Sequence, residues 1–355
     1  MPKHPELVRC LALLLPLSLM AAPPLAQAAQ KHTQHARTES TKSQALVPGS
    51  FPADAAQHAQ QLNADTGTPE LKPGDQGPAV MRAQVMLDRA WFSVGEIDGS
   101  FGTNMKKALA AFQESRGLPA TGRVDAATWS ALAQQQAPAF ATYVVTDKDV
   151  AGPYVTIPKN DPEAESQLPS LAYENIQEAL SERFHMSPKL LAALNNGRPL
   201  QAGQAIVVTD VGRAVAMPSK ASSLRISKSK QMLYIVGPDN RVMGAMPITI
   251  GGQEFALPDG TLQITAEVKN PDYSYDPSLL RNPKTDKKVK LPPGPNSPVG
   301  VMWLALSKEH TGIHGTAEPS QMSRAESSGC VRLTNWDVVR LSTVAAKGLN
   351  VEVQS

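Results

Sequence analysis

The sequence predicts a multidomain protein with a small all-α unit of three helices, an α+β segment and a mainly β C-terminal domain. A length of 355 residues is enough for two or three domains. Apolar residues recur at helical spacing in the first half of the chain and alternate at strand spacing in its last third. The 30 prolines and 24 glycines indicate linkers and turns between these parts.

The composition excludes several classes of protein. Hydrophobic residues make up 41% of the chain and charged residues 19%, which is typical of a globular protein rather than a disordered or polytopic membrane protein. Lys and Arg total 34 against 32 for Asp and Glu, so the net charge is only +2. Without a basic excess, we expect no nucleic-acid partner.

The first 28 residues have the pattern of a cleavable export signal. Lys3 and Arg9 precede an apolar run at 11–22, and Ala26-Gln27-Ala28 is a small-x-small cleavage site. The apolar run is too short to span about 30 Å of hydrocarbon. We therefore expect export and cleavage after residues 1–28, with no stable membrane insertion.

A flexible linker and a helical unit are expected next. Residues 29–65 are rich in Gln, Ser, Thr and Ala without a lasting apolar period, which is typical of a linker. Residues 66–137 predict three helices: one begins at Gly77-Pro78, a tight turn follows at 98–102, and Asp125 is placed to cap the last helix.

The α+β segment is expected at residues 140–215. A helical stripe begins at Ile176, a second helix begins at Ser187-Pro188, and Ala205–Val208 has the composition of a strand.

Residues 222–353 predict a mainly β domain. Met232, Tyr234 and Val236 alternate with their neighbours, and further short runs follow between glycines and prolines. Short strands over this length indicate a β-sandwich or a partly closed barrel. A helical pattern returns only near 336–345.

The chemistry is concentrated around a histidine and a cysteine. The chain has two cysteines, and loss of the signal with Cys10 would leave only Cys330. A buried cysteine usually acts as a small apolar side chain, but the polar, glycine-containing surroundings of Cys330 favour a nucleophile activated by the His314 imidazole. Gly315 and Gly329 leave backbone beside both side chains open to a substrate. Amides next to Cys330 could stabilise an oxyanion.

A zinc site formed by His310, His314 and Cys330 is the less favoured alternative. The spacing HTGIH differs from HExxH, and its internal glycine argues against one helix face. We expect no metal and no organic cofactor.

Two segments resemble wall-binding modules. LKPGDQGPAVMRAQVML and IDGSFGTNMKKALAAFQESRGLPATGRVDAATWSAL are similar to the peptidoglycan-binding domain of the PG_binding_1 type, which implies wall anchoring, with Asp98, Gly99 and Phe101 serving the turn and core. ERFHMSPKLLAALN and LQAGQAIVV resemble a degenerate LysM module, a β-α-α-β glycan binder, although the insertion at 159–169 departs from that repeat.

The C-terminal segment resembles the L,D-transpeptidase family with a YkuD-type catalytic domain. The resemblance begins near Leu224 and includes LPPGPNSPVGVMWLAL and the pattern HGT…S-x-GC-[IV]-R-[LM]-x-N. It implies Cys330 as the nucleophile, His314 as the base, and the Gly315 carbonyl as the group that orients the imidazole.

Further roles follow from the same resemblance. The amides of Ser328 and Gly329 would line the oxyanion hole with that of the nucleophile, and Ser327, Arg332 and Asn335 would contact substrate or support the loop. Many members have histidine at the position of Ser328, so donor or acceptor preference could differ here.

The implied function is that of an exported, periplasmic peptidoglycan L,D-transpeptidase. It would form an acyl-enzyme with a donor tetrapeptide stem and transfer the acyl group to an amine. The amine could belong to a second stem, which gives a cross-link, or to an outer-membrane lipoprotein, which gives an anchor. The alternatives are an L,D-carboxypeptidase that uses water, and a non-catalytic wall-binding protein. The sequence does not distinguish the acceptors.

Overall fold

The computed structural model describes residues 54–134, 137–251, 257–280, 282–324 and 329–355. The expected signal at 1–28 and most of the expected linker lie outside the described residues. Within the described ranges, no helix combines the length and apolar composition needed to cross a membrane.

The helical unit contains the three helices that the sequence predicted, preceded by one more. The helices are α1 (Ala55–Ala64), α2 (Pro78–Arg89), α3 (Thr103–Ser115) and α4 (Ala126–Leu132). Pro78 occupies the first turn of α2, where its missing N–H costs no hydrogen bond. Asp125 caps α4 by accepting a hydrogen bond from the Thr128 amide. The prediction of a small helical domain is confirmed.

Residues 55–64, which we expected to belong to the flexible linker, form α1 instead. Asp54 caps the helix, and Leu62 is buried. The Asn63 side chain donates to the Phe140 carbonyl at 2.8 Å and accepts from the Phe140 amide at 3.1 Å. Contact with a distant strand therefore stabilises α1, and its few apolar residues gave no lasting period by themselves.

The middle segment, residues 137–215, has a strand near each end and helices between them. Its elements are β1 (Phe140–Val144), α5 (Asp147–Ala151), α6 (Pro162–Glu165), α7 (Ile176–Arg183), α8 (Pro188–Leu194) and β2 (Ala205–Thr209). β1 and β2 pair antiparallel. The helices at Ile176 and Pro188 begin where the sequence predicted them, and the LysM resemblance stays a prediction.

The C-terminal domain is mainly β, as predicted. Its elements are β3 (Ser223–Ser227), β4 (Met232–Val236), β5 (Val242–Pro247), β6 (Gly260–Lys269), β7 (Tyr273–Tyr275), β8 (Val289–Leu291), β9 (Met302–Leu306), β10 (Gly312–His314), β11 (Val331–Arg332), α9 (Asn335–Ser342) and β12 (Asn350–Gln354). Among the described residues, eight strands form one mixed sheet in the order β11-β10-β9-β6-β12-β3-β4-β5.

The two edges of this sheet meet, so the sheet curls into a partly closed barrel. Thr249, just after β5, donates its amide hydrogen to the Arg332 carbonyl at 3.1 Å and accepts from the Arg332 amide at 2.8 Å. The apolar side of β9, β10 and β11, with Leu304, Ile313 and Val331, packs into a core that also includes Val338 of α9. The opposite side of β10 and β11 remains available for polar residues.

A hairpin of β7 and β8, residues 273–291, packs on the middle segment. Leu171 forms a small apolar core with Tyr275 and Leu291 of the hairpin. Glu163 of α6 accepts a hydrogen bond from the Thr285 hydroxyl at 2.8 Å. The insertion at 159–169 therefore supports the hairpin, a role that its sequence did not indicate.

The helical unit covers the edge of the sheet at β5. The Ser93 amide donates to the Ala245 carbonyl at 2.8 Å, and the Ala245 amide donates to the Trp91 carbonyl at 2.8 Å. Since an open strand edge invites pairing with other chains, this contact both joins the two domains and protects the edge.

A buried ionic cluster, which we call the junction cluster, joins all three parts of the chain. Asp88 of α2 is fully buried. The Nδ1 atom of His185, in the middle segment, lies 3.2 Å from both Asp88 carboxylate oxygens, and Arg340 of α9 lies 3.6 Å from one of them. Burial alone would raise the pKa of Asp88, but His185 and Arg340 outweigh it and hold that pKa below its usual range. The buried Asp88 therefore stays ionised because of the partners that the other two parts of the chain supply.

Asp88→Ala is expected to destabilise the whole protein. The change leaves Arg340, whose side chain is only 12% exposed, without its carboxylate, and breaking such a buried pair costs about 3–5 kcal/mol. Urea unfolding measures the loss. Glu70→Ala is the matched control, because the Glu70–Arg123 pair is 66% and 54% exposed and such pairs contribute roughly 0–1 kcal/mol. Equal losses in the two variants would contradict a stabilising role for the junction cluster.

Candidate active site

The strand register brings the side chains of three residues to one face of the sheet: Trp303, His314 and Arg332. His314 ends β10, where it pairs with Trp303 of β9 on one side and with Arg332 of β11 on the other. Residues directly opposite each other in paired strands point to the same face. Ile313, one residue earlier, is fully buried on the opposite face.

The His314 imidazole is held in one tautomer and one orientation. The ring is 3% exposed, and its Nδ1 lies 2.7 Å from the Gly315 carbonyl oxygen. A carbonyl oxygen can only accept, so Nδ1 carries the proton and Nε2 presents a lone pair. The Trp303 indole stacks on the ring with 5.2 Å between centroids. His314 is therefore held with Nε2 as a fixed acceptor.

Cys330 lies directly before β11 and is half-buried. The preceding Gly329 has φ of 109°, in the region that favours glycine, so the turn that leads into the strand requires glycine at this position. Val331 is buried in the core, and strand alternation places Cys330 on the opposite face, which is also that of His314. The Cys330 thiol lies 3.6 Å from the His310 carbonyl oxygen, a long sulfur contact.

Both reactive groups are uncharged at neutral pH in this arrangement. Burial raises the pKa of the Cys330 thiol above its ordinary value, and the Gly312 backbone with the charges of Arg332 and Lys308 offsets this only in part. Burial, with the charge of Arg332 as a second cause, lowers the pKa of His314 to about 3. The site therefore holds a neutral thiol and a neutral base rather than a preformed thiolate–imidazolium pair.

Arg332 places a positive charge beside this pair. Its Nε is buried, and among the described residues it has no hydrogen-bond partner. Its charge acts on both Cys330 and His314. A half-buried arginine with an unused Nε–H donor fits an anionic group that arrives from outside the chain.

Tyr273 of the hairpin lies within electrostatic reach of the site. Burial raises its pKa to about 12, with the charge of Cys330 as a second cause and Arg332 acting in the opposite direction. The hairpin thus lies near the side chains of Cys330 and Arg332.

Asn335 lies behind the histidine and supports its loop. Its Nδ2 donates to both carboxylate oxygens of Glu182 at 3.1 Å and to the Pro295 carbonyl at 3.0 Å. Its Oδ1 lies so close to Gly315 that an added Cβ at that glycine would be 2.2 Å away. The Val301 amide lies 3.3 Å from the same oxygen. Gly315 must therefore lack a side chain for Asn335 to occupy this place.

The structure brings some of the predicted site residues together and leaves others apart. Cys330, His314 and Arg332 share one face, whereas Asn335 and Gly315 lie behind it. His310 is exposed, with its ring beside Glu309 at 3.4 Å rather than in the site. Ser327 and Ser328 lie outside the described residues. No group of three or more His, Cys, Asp or Glu side chains placed to hold a metal occurs in the ranges that the structure describes.

The sequence interpretation missed three residues of the site. The side-chain alternation within β9 could have predicted the face on which Trp303 lies, and that strand pairs with the one that carries His314. Tyr273 and Glu182 gave no signal, since their positions depend on how the hairpin and the middle segment pack.

Comparison with known proteins finds family models for the C-terminal domain and for the helical unit. The family model of the L,D-transpeptidase catalytic domain matches residues 221–353, and that of a peptidoglycan-binding domain matches residues 76–132. The L,D-transpeptidase homologue YkuD of Bacillus subtilis is 30% identical over 154 residues, which are 43% of this chain and 77% of that protein.

Two further proteins are similar to parts of this chain. YkuD of Bacillus licheniformis is 28% identical over 179 residues, which are 50% of this chain and 92% of that protein. A crystal structure of an L,D-transpeptidase from Xylanimonas cellulosilytica aligns with 82% of this chain and all of that chain, at 16% identity and a TM-score of 0.37.

The protonation state of Cys330 can be measured by alkylation with iodoacetamide as a function of pH. Only the thiolate reacts, so the rate rises with pH through the thiol pKa. Because burial favours the protonated form, we expect a midpoint above that of the same thiol in urea, where it should lie near its ordinary value of about 8.5. A protein that begins at residue 29 has Cys330 as its one thiol. A native midpoint at or below the unfolded one would contradict a neutral resting pair.

Proposed function

The chain belongs to the L,D-transpeptidase family, and we propose that it is an exported peptidoglycan enzyme that transfers a donor tetrapeptide stem through an acyl-enzyme on Cys330. One observation carries the proposal: Cys330 lies on the same face of the sheet as His314, whose proton is fixed on Nδ1, and Arg332 lies beside both. These are the groups that a thiol-dependent acyl transfer requires.

The first half of the reaction is the attack of sulfur on the donor carbonyl. As the S–C bond forms, the thiol loses its proton to Nε2 of His314, and the carbonyl electron pair moves onto oxygen. The amides of Gly329 and Cys330, with that of Ser328, would donate to that oxyanion. The C–N bond to the terminal D-alanine then breaks, and His314 returns the proton to the leaving amine. A thioester remains on Cys330.

Proton transfer and S–C bond formation occur together in this proposal. The Cys330 thiol has a raised pKa and His314 has a pKa of about 3, so transfer before attack is strongly unfavourable. Sulfur loses its affinity for the proton as its lone pair enters the new bond. The buried imidazolium is short-lived and is a strong acid for the leaving amine, as the second step requires.

Arg332 connects donor binding to the strength of the base. Its positive charge is one of the two causes that lower the pKa of His314. A donor carboxylate at the unused Nε of Arg332 would neutralise that charge and make His314 more basic. The donor stem carries carboxylates, so its binding would strengthen the base that takes the proton from the attacking thiol.

The second half of the reaction delivers the acyl group to an amine. The amine nitrogen attacks the thioester carbonyl and gives its proton to Nε2. The S–C bond then breaks, and His314 passes that proton to the sulfur, which restores the thiol and the neutral base. The acceptor is a second peptide stem or an outer-membrane lipoprotein, and water in its place would give a carboxypeptidase.

The helical domain serves as the wall anchor in this proposal. Residues 76–132 match a peptidoglycan-binding domain, and the junction cluster joins this domain to the catalytic sheet. Export through a signal at residues 1–28 would place both domains in the periplasm beside their substrate. Binding to isolated peptidoglycan sacculi with no acyl transfer would instead favour the non-catalytic alternative.

A carbapenem tests the nucleophile and the base together, because its strained carbonyl offers the same acyl chemistry. We expect one covalent adduct on the protein that begins at residue 29, mapped to Cys330. His314→Ala should slow acylation by about 10²–10⁴, the usual contribution of a positioned acid–base group. Intact-mass spectrometry against time measures both proteins side by side.

His310→Ala is the matched control, because that side chain is exposed and lies outside the site. It should acylate at close to the wild-type rate. Thiol titration of each denatured variant shows that Cys330 is intact. Equal acylation rates for wild type and His314→Ala would remove His314 from the mechanism.

A further inference from the structure

Glu182 extends a carboxylate from the middle segment to Asn335, which packs on Gly315 next to His314. It lies in the last turn of α7 and is 9% exposed. Both of its oxygens accept from Asn335, and the Tyr173 hydroxyl lies 3.3 Å from Oε2. Buried carboxylates are uncommon unless their partners are fixed, so this contact is a specific part of the fold.

The contact fixes which way the Asn335 amide faces. The Pro295 carbonyl can only accept, and both it and the Glu182 carboxyl group meet Nδ2. A rotation of the amide by half a turn would place its oxygen against the Pro295 carbonyl oxygen, which cannot donate. Oδ1 is therefore held towards Val301 and Gly315.

The position of Oδ1 determines where the Gly315 backbone can lie. An added Cβ at Gly315 would be 2.2 Å from Oδ1, and one at Gly300 would be 2.0 Å from it. The amide thus packs directly on both glycines. The Gly315 carbonyl oxygen accepts the hydrogen bond from His314 Nδ1, with 2.7 Å between nitrogen and oxygen.

We propose that Glu182 of the middle segment is a positioning residue for His314, acting through Asn335 and the Gly315 carbonyl. The effect on catalysis rests on the proposed function, whereas the effect on the imidazole does not. The middle segment is in this view a structural part of the catalytic centre, whether or not it also binds glycan.

The charge of Glu182 is less important than its acceptor oxygen. Burial raises its pKa to about 7, the bonds from Asn335 and Tyr173 act against this, and the charges of Glu178 and Glu96 act with it. At neutral pH a large fraction of the side chain is already protonated. Glutamine keeps an acceptor for Asn335 and should therefore preserve the arrangement.

The test compares two readouts in the same variants. One is the rate of Cys330 acylation by a carbapenem. The other is the tautomer of His314, measured by long-range ¹H–¹⁵N correlation on ¹⁵N-histidine-labelled protein, which needs no substrate. Glu182→Met keeps the volume but removes the acceptor, Glu182→Gln is the conservative variant, and Glu114→Gln is the control on an exposed helix position.

We expect Glu182→Met to slow acylation by about 10–100-fold, as a misplacement near 1 Å can do, and to mix the Nδ1–H and Nε2–H tautomers of His314. Glu182→Gln and the control should stay within about threefold of wild type with one tautomer, well short of that misplacement effect. If Glu182→Met does not fold, Glu182→Asp takes its place, because its side chain is one methylene shorter and its oxygens lie farther from Asn335. The acylation rate and the His314 tautomer are then compared in the same way.

A wild-type rate and a single tautomer in the acceptor-removing variant would overturn the proposal. A slower rate with an unchanged His314 tautomer would also overturn it, because Glu182 would then act by another route. If wild type itself is not acylated, the proposed function fails, and the tautomer comparison still decides the role of Glu182.

Discussion

The hydrogen bond from His314 Nδ1 to the Gly315 carbonyl is the contact on which the candidate site depends. It fixes the proton on one nitrogen and leaves Nε2 free to act as a base. A buried imidazole with a pKa of about 3 stays neutral, so attraction to a charged partner cannot orient it. The orientation of the ring therefore depends on the hydrogen bond to Gly315, and the surroundings of Gly315 must be rigid.

That rigidity comes from all three parts of the chain. Asn335 packs on Gly315 from the catalytic domain, and Glu182 holds Asn335 from the middle segment. His185, close along the chain from Glu182, binds the buried Asp88 of the helical domain. The middle segment also supports the hairpin of β7 and β8, which carries Tyr273. A wall-binding domain and a catalytic sheet are thus joined by a segment that takes part in both.

The sequence predicted the parts of the fold and site that depend on local patterns. The Pro78 start of α2 and the Asp125 cap of α4 each depend on a few neighbouring residues, and Cys330, His314 and Arg332 lie in one motif. The sequence could not predict α1 or Glu182, because both are stabilised by residues that are distant along the chain. The contact of Trp91 and Ser93 with β5 depends in the same way on the position of a sheet edge.

Rapid-quench mass spectrometry of the reaction with a natural donor tests the central claim most directly. The protein that begins at residue 29 is mixed with a disaccharide-tetrapeptide and quenched before one turnover is complete. We predict a transient adduct on Cys330 with the mass of the donor minus alanine, which decays when an acceptor amine is added. Alanine release with no adduct on Cys330 at any time, or equal release by a Cys330→Ala variant, would contradict acyl transfer through this thiol.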